Sequence, residues 1–120
     1  MVEAVELSNE AKELLIKFQA KNQQLQELTA QKQSLELQKL EIEEALKEME
    51  RRDEIYKEVA GLLIKADKDK VKKELEEEKE LIEIKSKQIE NAERKLKAEL
   101  EKDRDKLEAM IRNSHFGFGG

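Results

Sequence analysis

Apolar residues return at seven-residue intervals along most of this chain, and a pattern of that kind buries its stripe only by laying one helix against another. In the first half the stripe is Leu7, Leu14, Leu28, Leu35, Ile42 and Met49, with Ala11, Phe18, Leu25 and Leu46 at the companion position of the repeat. Lys21, Lys32 and Lys39 interrupt it. Each can rest its aliphatic stem on an apolar seam while its ammonium reaches water. The second half repeats the pattern with Leu75, Ile82, Ile89 and Leu96, then Met110 past a polar step at Asp103, while Leu100 and Leu107 hold the companion position. Composition agrees with paired helices: 44% charged residues against 38% hydrophobic and no Trp leave too little material for a globular core, and there is no Pro to break a long helix.

The two stripes do not join. The heptad count is lost between Met49 and Val71, where the chain reads "IYKEVAGLLIKAD" from Ile55 to Asp67. Tyr56, Val59 and Ile64 favour extended backbone, and Gly61 weakens a helix by about 1 kcal/mol relative to Ala. Ala60-Gly61 suits a tight turn between strands at 55–59 and 62–66, with Val59 opposite Leu62 and Glu58 opposite Leu63. Ala at a positive φ costs about 1 kcal/mol, which leaves a longer loop or a bulge as the alternative. Ser8 or Asn9 can cap the first helix, and Asp67 or Asp69 the second.

The expectation is therefore one subunit with a helix over 9–51, a β-hairpin over 55–66, a helix over 69–112 and a flexible tail over 113–120. Two arms of about 65 Å, at ~1.5 Å per residue, cover each other's stripes if the chain doubles back. The fold class is then mainly α, an antiparallel helical-hairpin coiled coil. The competing reading is a structural or adaptor rod, an elongated parallel dimer that carries helix straight through Gly61.

A two-stranded hairpin is marginal alone in water, and this one has apolar side chains on both faces: Ile55, Val59, Leu62 and Ile64 on one, Tyr56 and Leu63 on the other. Its edges also offer unpaired amides and carbonyls. Such a hairpin is expected to pair with copies of itself or with a relative and to close into an intersubunit β-barrel, so that no edge remains.

Chemistry-bearing patterns are missing. No nucleotide loop, metal-ligand spacing or nucleophile-base set occurs, so neither an enzyme nor a cofactor or metal site is expected. The chain has no Cys, and His115 stands without a second ligand nearby. Tyr56 has no neighbour to tune it as a catalytic acid. Acids and bases are finely mixed at a formal net charge of −5, which argues against nucleic acid; the lysines at 65, 68, 70, 72 and 73 are interrupted by Asp67 and Asp69. Glu76, Glu77 and Glu78 read as a water-facing run with lysine partners three or four residues away. The opening residues carry acids where a signal peptide needs bases, and no apolar run nears the ~18 residues of a membrane span. A cytoplasmic protein without a membrane partner is expected.

The joint and its flanks carry a resemblance. The Tyr56-Lys57 pair followed by Gly61, the aliphatic triplet Leu62-Leu63-Ile64, Lys65 before a charged helix start, and the Gln-rich first arm with "QKQ" at 31–33 and "EALKE" at 44–48 resemble the β-type subunit of archaeal prefoldin, the GimC complex. The resemblance runs over nearly the whole chain. It implies a hexamer of two α-type and four β-type subunits joined through β-barrels, with Ile55, Tyr56, Val59, Gly61, Leu62, Leu63 and Ile64 serving assembly. It also implies a nucleotide-independent chaperone that holds unfolded client proteins at its coiled-coil tips and delivers them to a group II chaperonin. In a helical hairpin both termini lie together, so Val2, Val5, Leu7, Leu14, Met110, Ile111, Phe116 and Phe118 are the expected client-binding residues. Exposed apolar groups, flexible Met among them, bind many sequences weakly, and several tips acting together retain what one cannot.

Overall fold

The structure is a computed structural model that describes residues 7–117, with side chains through Asn113. In chain order it holds α1 (Asn9–Glu50), β1 (Ile55–Val59), β2 (Leu62–Ala66) and α2 (Lys68–Gly117).

Each boundary has a local cause. The Ser8 hydroxyl accepts a hydrogen bond from the Ala11 amide at 3.1 Å, and the Ser8 carbonyl accepts the first helical bond from Lys12 at 3.0 Å. Ser8 is thus the cap of α1. At the other end, Arg51 and Arg52 donate to the carbonyls of Glu48 and Met49, a tightened last turn that satisfies groups the helix leaves over. Asp67 caps α2, its carboxylate accepting from the Asp69 amide at 3.0 Å while its carbonyl accepts from Val71. The sequence places residues 113–120 in a flexible tail, but α2 continues through Asn113 as far as Gly117. No Pro or Gly lies between Gly61 and Gly117, so nothing in the chain stops the helix sooner.

The chain forms two compact units: Gln31–Glu90 is one, and the segments up to Ala30 and from Asn91 onward form the other. Within the central unit the two helices run antiparallel around the β-hairpin. Lys32 pairs with Glu90 at 3.6 Å and Lys39 with Glu83 at 3.3 Å, so seven residues forward on α1 are seven back on α2. Four more bring Glu43 to Lys79 at 3.3 Å. Ile42, Met49 and Ile82 are the buried apolar residues of this unit.

The terminal unit packs in the same sense. Lys21 bonds Asp103 at 2.6 Å, and the Thr29 hydroxyl donates to Glu93 at 2.9 Å. Ala11, Leu96, Leu100 and Leu107 are buried here, and Glu93 with them. These intrachain pairs overturn the parallel rod, which needs helix where the backbone turns at Ala60-Gly61. The fold is a mainly helical hairpin with a central antiparallel β-hairpin.

Candidate functional site

Strands β1 and β2 pair in the register Ile55–Ala66, Tyr56–Lys65, Lys57–Ile64, Glu58–Leu63 and Val59–Leu62. A two-residue connection joins them, with φ of 50° at Ala60 and 81° at Gly61. Positive φ at both central residues is the type I′ turn, whose twist matches that of the strands. The alternative of a longer loop or bulge is not what forms.

The register sorts the side chains into two faces. Ile55, Lys57, Val59, Leu62, Ile64 and Ala66 share one; Tyr56, Glu58, Leu63 and Lys65 share the other. Apolar groups stand in solvent on both: Val59 is 47% exposed, Leu62 66% and Ile64 49% on the first, Tyr56 57% and Leu63 74% on the second. Ile55 and its partner Ala66, at the base of the hairpin, are half-buried. A two-stranded sheet with open edges and exposed Leu on both faces is marginal alone in water and leaves its edges free to pair.

The base of the hairpin is tied to the helices by polar contacts. Glu54 accepts hydrogen bonds from both the Tyr56 hydroxyl and the Lys65 ammonium, each at 3.2 Å. Lys57 reaches Glu74 on α2 at 3.6 Å, and Lys68 donates to the Arg52 carbonyl at 2.9 Å. Beside them Ala45, Met49, Ile55, Tyr56, Val71 and Leu75 line an open groove of about 540 Å³. Glu54 is a member of the site that sequence reasoning missed, since only the turn brings it to Lys65.

The second expected surface lies in the terminal unit. One heptad outward from the Lys21–Asp103 pair stand Leu14 on α1 and Met110 on α2, both half-buried. Leu7 is half-buried and Ile111 is 41% exposed. Val2, Val5 and Phe118 lie outside the described residues. Phe116 falls on the last turn of α2, outside the described side chains.

Between the two surfaces in sequence, the seam carries polar groups, of which Glu93 is the one not expected from the sequence. Glu93, 7% exposed, occupies a seam position seven residues before Leu100, where extending the companion stripe backward finds it. The Asp103 hydrogen bond raises the Lys21 pKa above its ordinary value; burial opposes this, and the charges of Asp103 and Glu99 add to it. Among the described residues no buried side-chain nitrogen or oxygen lacks a partner. Glu76, Glu77 and Glu78 are exposed, and the expected lysine partners within α2 do not form. Lys72 and Lys73 precede them by four residues, the weaker orientation for such a pair, and Lys79 turns instead to Glu43 on α1.

No group of His, Cys, Asp or Glu among the described residues is arranged to hold a metal ion, and no helix there is long and apolar enough to cross a membrane.

Comparison with known proteins gives a consistent answer. A family model described as "Prefoldin subunit" matches residues 12–114. The prefoldin subunit beta of Saccharolobus islandicus is 35% identical over 120 residues, covering 98% of this chain and 94% of that one. The corresponding subunit of Sulfolobus acidocaldarius is 34% identical over 100 residues, with 81% and 80% covered. Among solved structures, the crystal structure of the prefoldin beta subunit from Thermococcus strain KS-1 superposes with a TM-score of 0.80 at 29% identity, covering 91% of this chain and 98% of that one. The hairpin joint, the antiparallel seam and these likenesses agree: the chain belongs to the prefoldin subunit family, as a chaperone subunit of the beta type.

Proposed function

We propose that this chaperone subunit joins its neighbours through the hairpin of Ile55–Ala66 and holds unfolded polypeptides at apolar residues near its two termini. Prefoldin beta subunits form complexes with other prefoldin subunits. The observation that carries the assembly half is the exposure of Leu62 and Leu63 on opposite faces of an open-edged hairpin. No face of an isolated two-stranded sheet can bury both, whereas a barrel built from several hairpins covers one face and removes the edges. The partners of this reading are α-type subunits, two with four of the present kind, in the cytoplasm.

Client holding needs no reaction, nucleotide or metal. It needs apolar groups exposed in more than one copy; in the terminal unit Ile111 is exposed and Leu7, Leu14 and Met110 are half-buried, and Val2, Val5, Phe116 and Phe118 complete the proposed set. Weak contacts of one subunit become retention when several act on the same client. Release to a group II chaperonin completes the reading.

The test is removal of residues 1–8 and 112–120 from the chain assembled with an α-type partner. The trimmed assembly is expected to keep its mass by light scattering and to lose its ability to prevent aggregation of a denatured test protein. Equal protection by the trimmed assembly would move the client site elsewhere.

A further inference from the structure

The polar residues of the α1 seam are all lysines, and both acids of the seam lie on α2. On α1 the interruptions are Lys21, Lys32 and Lys39; on α2 they include Glu93 and Asp103. Each of the three lysines has a carboxylate of α2 within reach: Asp103 at 2.6 Å from Lys21, Glu90 at 3.6 Å from Lys32 and Glu83 at 3.3 Å from Lys39. The lysine in the α2 seam, Lys79, meets Glu43 of α1 at 3.3 Å. Glu93 accepts from Thr29 of α1. All of these side chains except Thr29, Glu43, Glu83 and Glu90 sit at or beside the a and d positions, where like charges meet directly if two identical helices pair.

Two copies of α1 side by side in register would stack Lys21 on Lys21, Lys32 on Lys32 and Lys39 on Lys39. Two copies of α2 would stack Glu93 on Glu93, Asp103 on Asp103 and Lys79 on Lys79. Only α1 against α2 gives Lys21, Lys32, Lys39 and Lys79 a carboxylate and Glu93 a hydroxyl donor. We infer that these charges act as a pairing selector, confining each helix to a partner of the other kind. A subunit that works beside others brings several copies of α1 close together, and their leucine stripes alone would let like helices zip into one another. Three apolar layers on α1 are given up to lysine, and specificity is what they provide. The inference does not depend on where clients bind.

The chain has no Cys, so one introduced thiol reports pairing cleanly. Leu25→Cys, at a seam position of α1, puts two thiols face to face only when two copies of α1 pair. The full chain is oxidised at fixed concentration, and interchain disulfide is read by non-reducing electrophoresis and helix content by circular dichroism. In the parent background little dimer is expected. With Lys21→Leu, Lys32→Leu and Lys39→Leu added, the disulfide fraction rises about tenfold or more while helix content holds, because like-charge juxtaposition discriminates by at least that factor. With all three changed to Glu, which breaks the native pairs but keeps α1 self-repelling, no comparable rise is expected. Equal disulfide in the parent and triple-leucine chains, or in the triple-leucine and triple-glutamate chains, would overturn the selector. Loss of helix in the triple-leucine chain would overturn it as well, since the lysines would then be holding the fold rather than choosing the partner.

Discussion

Ala60 offers the sharpest test of the joint, because the sign of its substitution depends on the backbone it occupies. At a φ of 50° an L residue with a Cβ bears a cost of about 1–2 kcal/mol. Ala60→Gly removes that cost but gives the unfolded chain about 0.4–1 kcal/mol of extra freedom, so the hairpin is expected to gain about 0.5–1 kcal/mol. Ala60→Asn tolerates the same φ without the added freedom and gains about 1 kcal/mol. In a continuous helix both changes lose instead, Gly by about 1 kcal/mol. Gly61→Ala is the mirror experiment. A Cβ built there meets no atom within 4 Å, so its penalty, about 1–2 kcal/mol, comes from a φ of +81° alone. Amide hydrogen exchange across β1 and β2 reads local stability at about fivefold in protection per kcal/mol. Slower exchange in Ala60→Gly and Ala60→Asn, with faster exchange in Gly61→Ala, is the expected set. Faster exchange in all three would mean that no type I′ turn is present.

Leu100→Ala, at a position 7% exposed in the terminal unit, is expected to cost about 2–5 kcal/mol, checked by urea unfolding followed by helix ellipticity. Lys21 has a folded pKa raised by Asp103, so its contribution is fully present below the unfolded value near ~10.4 and lost as pH rises through the folded value. Melting temperature should therefore fall above that range more steeply in the parent than in Asp103→Asn, and parallel profiles would refute the link. Leu62→Lys with Leu63→Lys places charge on both hairpin faces; the assembly mass measured by light scattering should drop while helix content stays within error.

The two helices, the candidates for their caps and the turn could be read from local chemistry. Heptad spacing, Ser8 and Asp67 as caps, and the Ala60-Gly61 pair act within a few residues of themselves, and the register Val59–Leu62 follows once the turn has two residues. The far end of α2 is the exception, because the glycines at 117, 119 and 120 read as a tail in composition, whereas the backbone asks only for the absence of a breaker before Gly117.

Local pattern could not decide which charges meet. Lys21 appears in the sequence as a flaw in an apolar stripe, with Asp103 as an unrelated polar step; folding the chain on itself turns them into one 2.6 Å pair. Glu93 becomes a buried carboxylate held by Thr29 only because α1 crosses over it, and Glu54 gathers Tyr56 and Lys65 only because the strand returns. The exposure of Leu62 and Leu63 is likewise a tertiary fact: a strand sequence states that its residues alternate between faces, but whether either face is covered depends on what else the chain brings there. Backbone preference is a near-neighbour energy and is written in short stretches, whereas desolvation and charge pairing depend on distances through space that no single stretch contains.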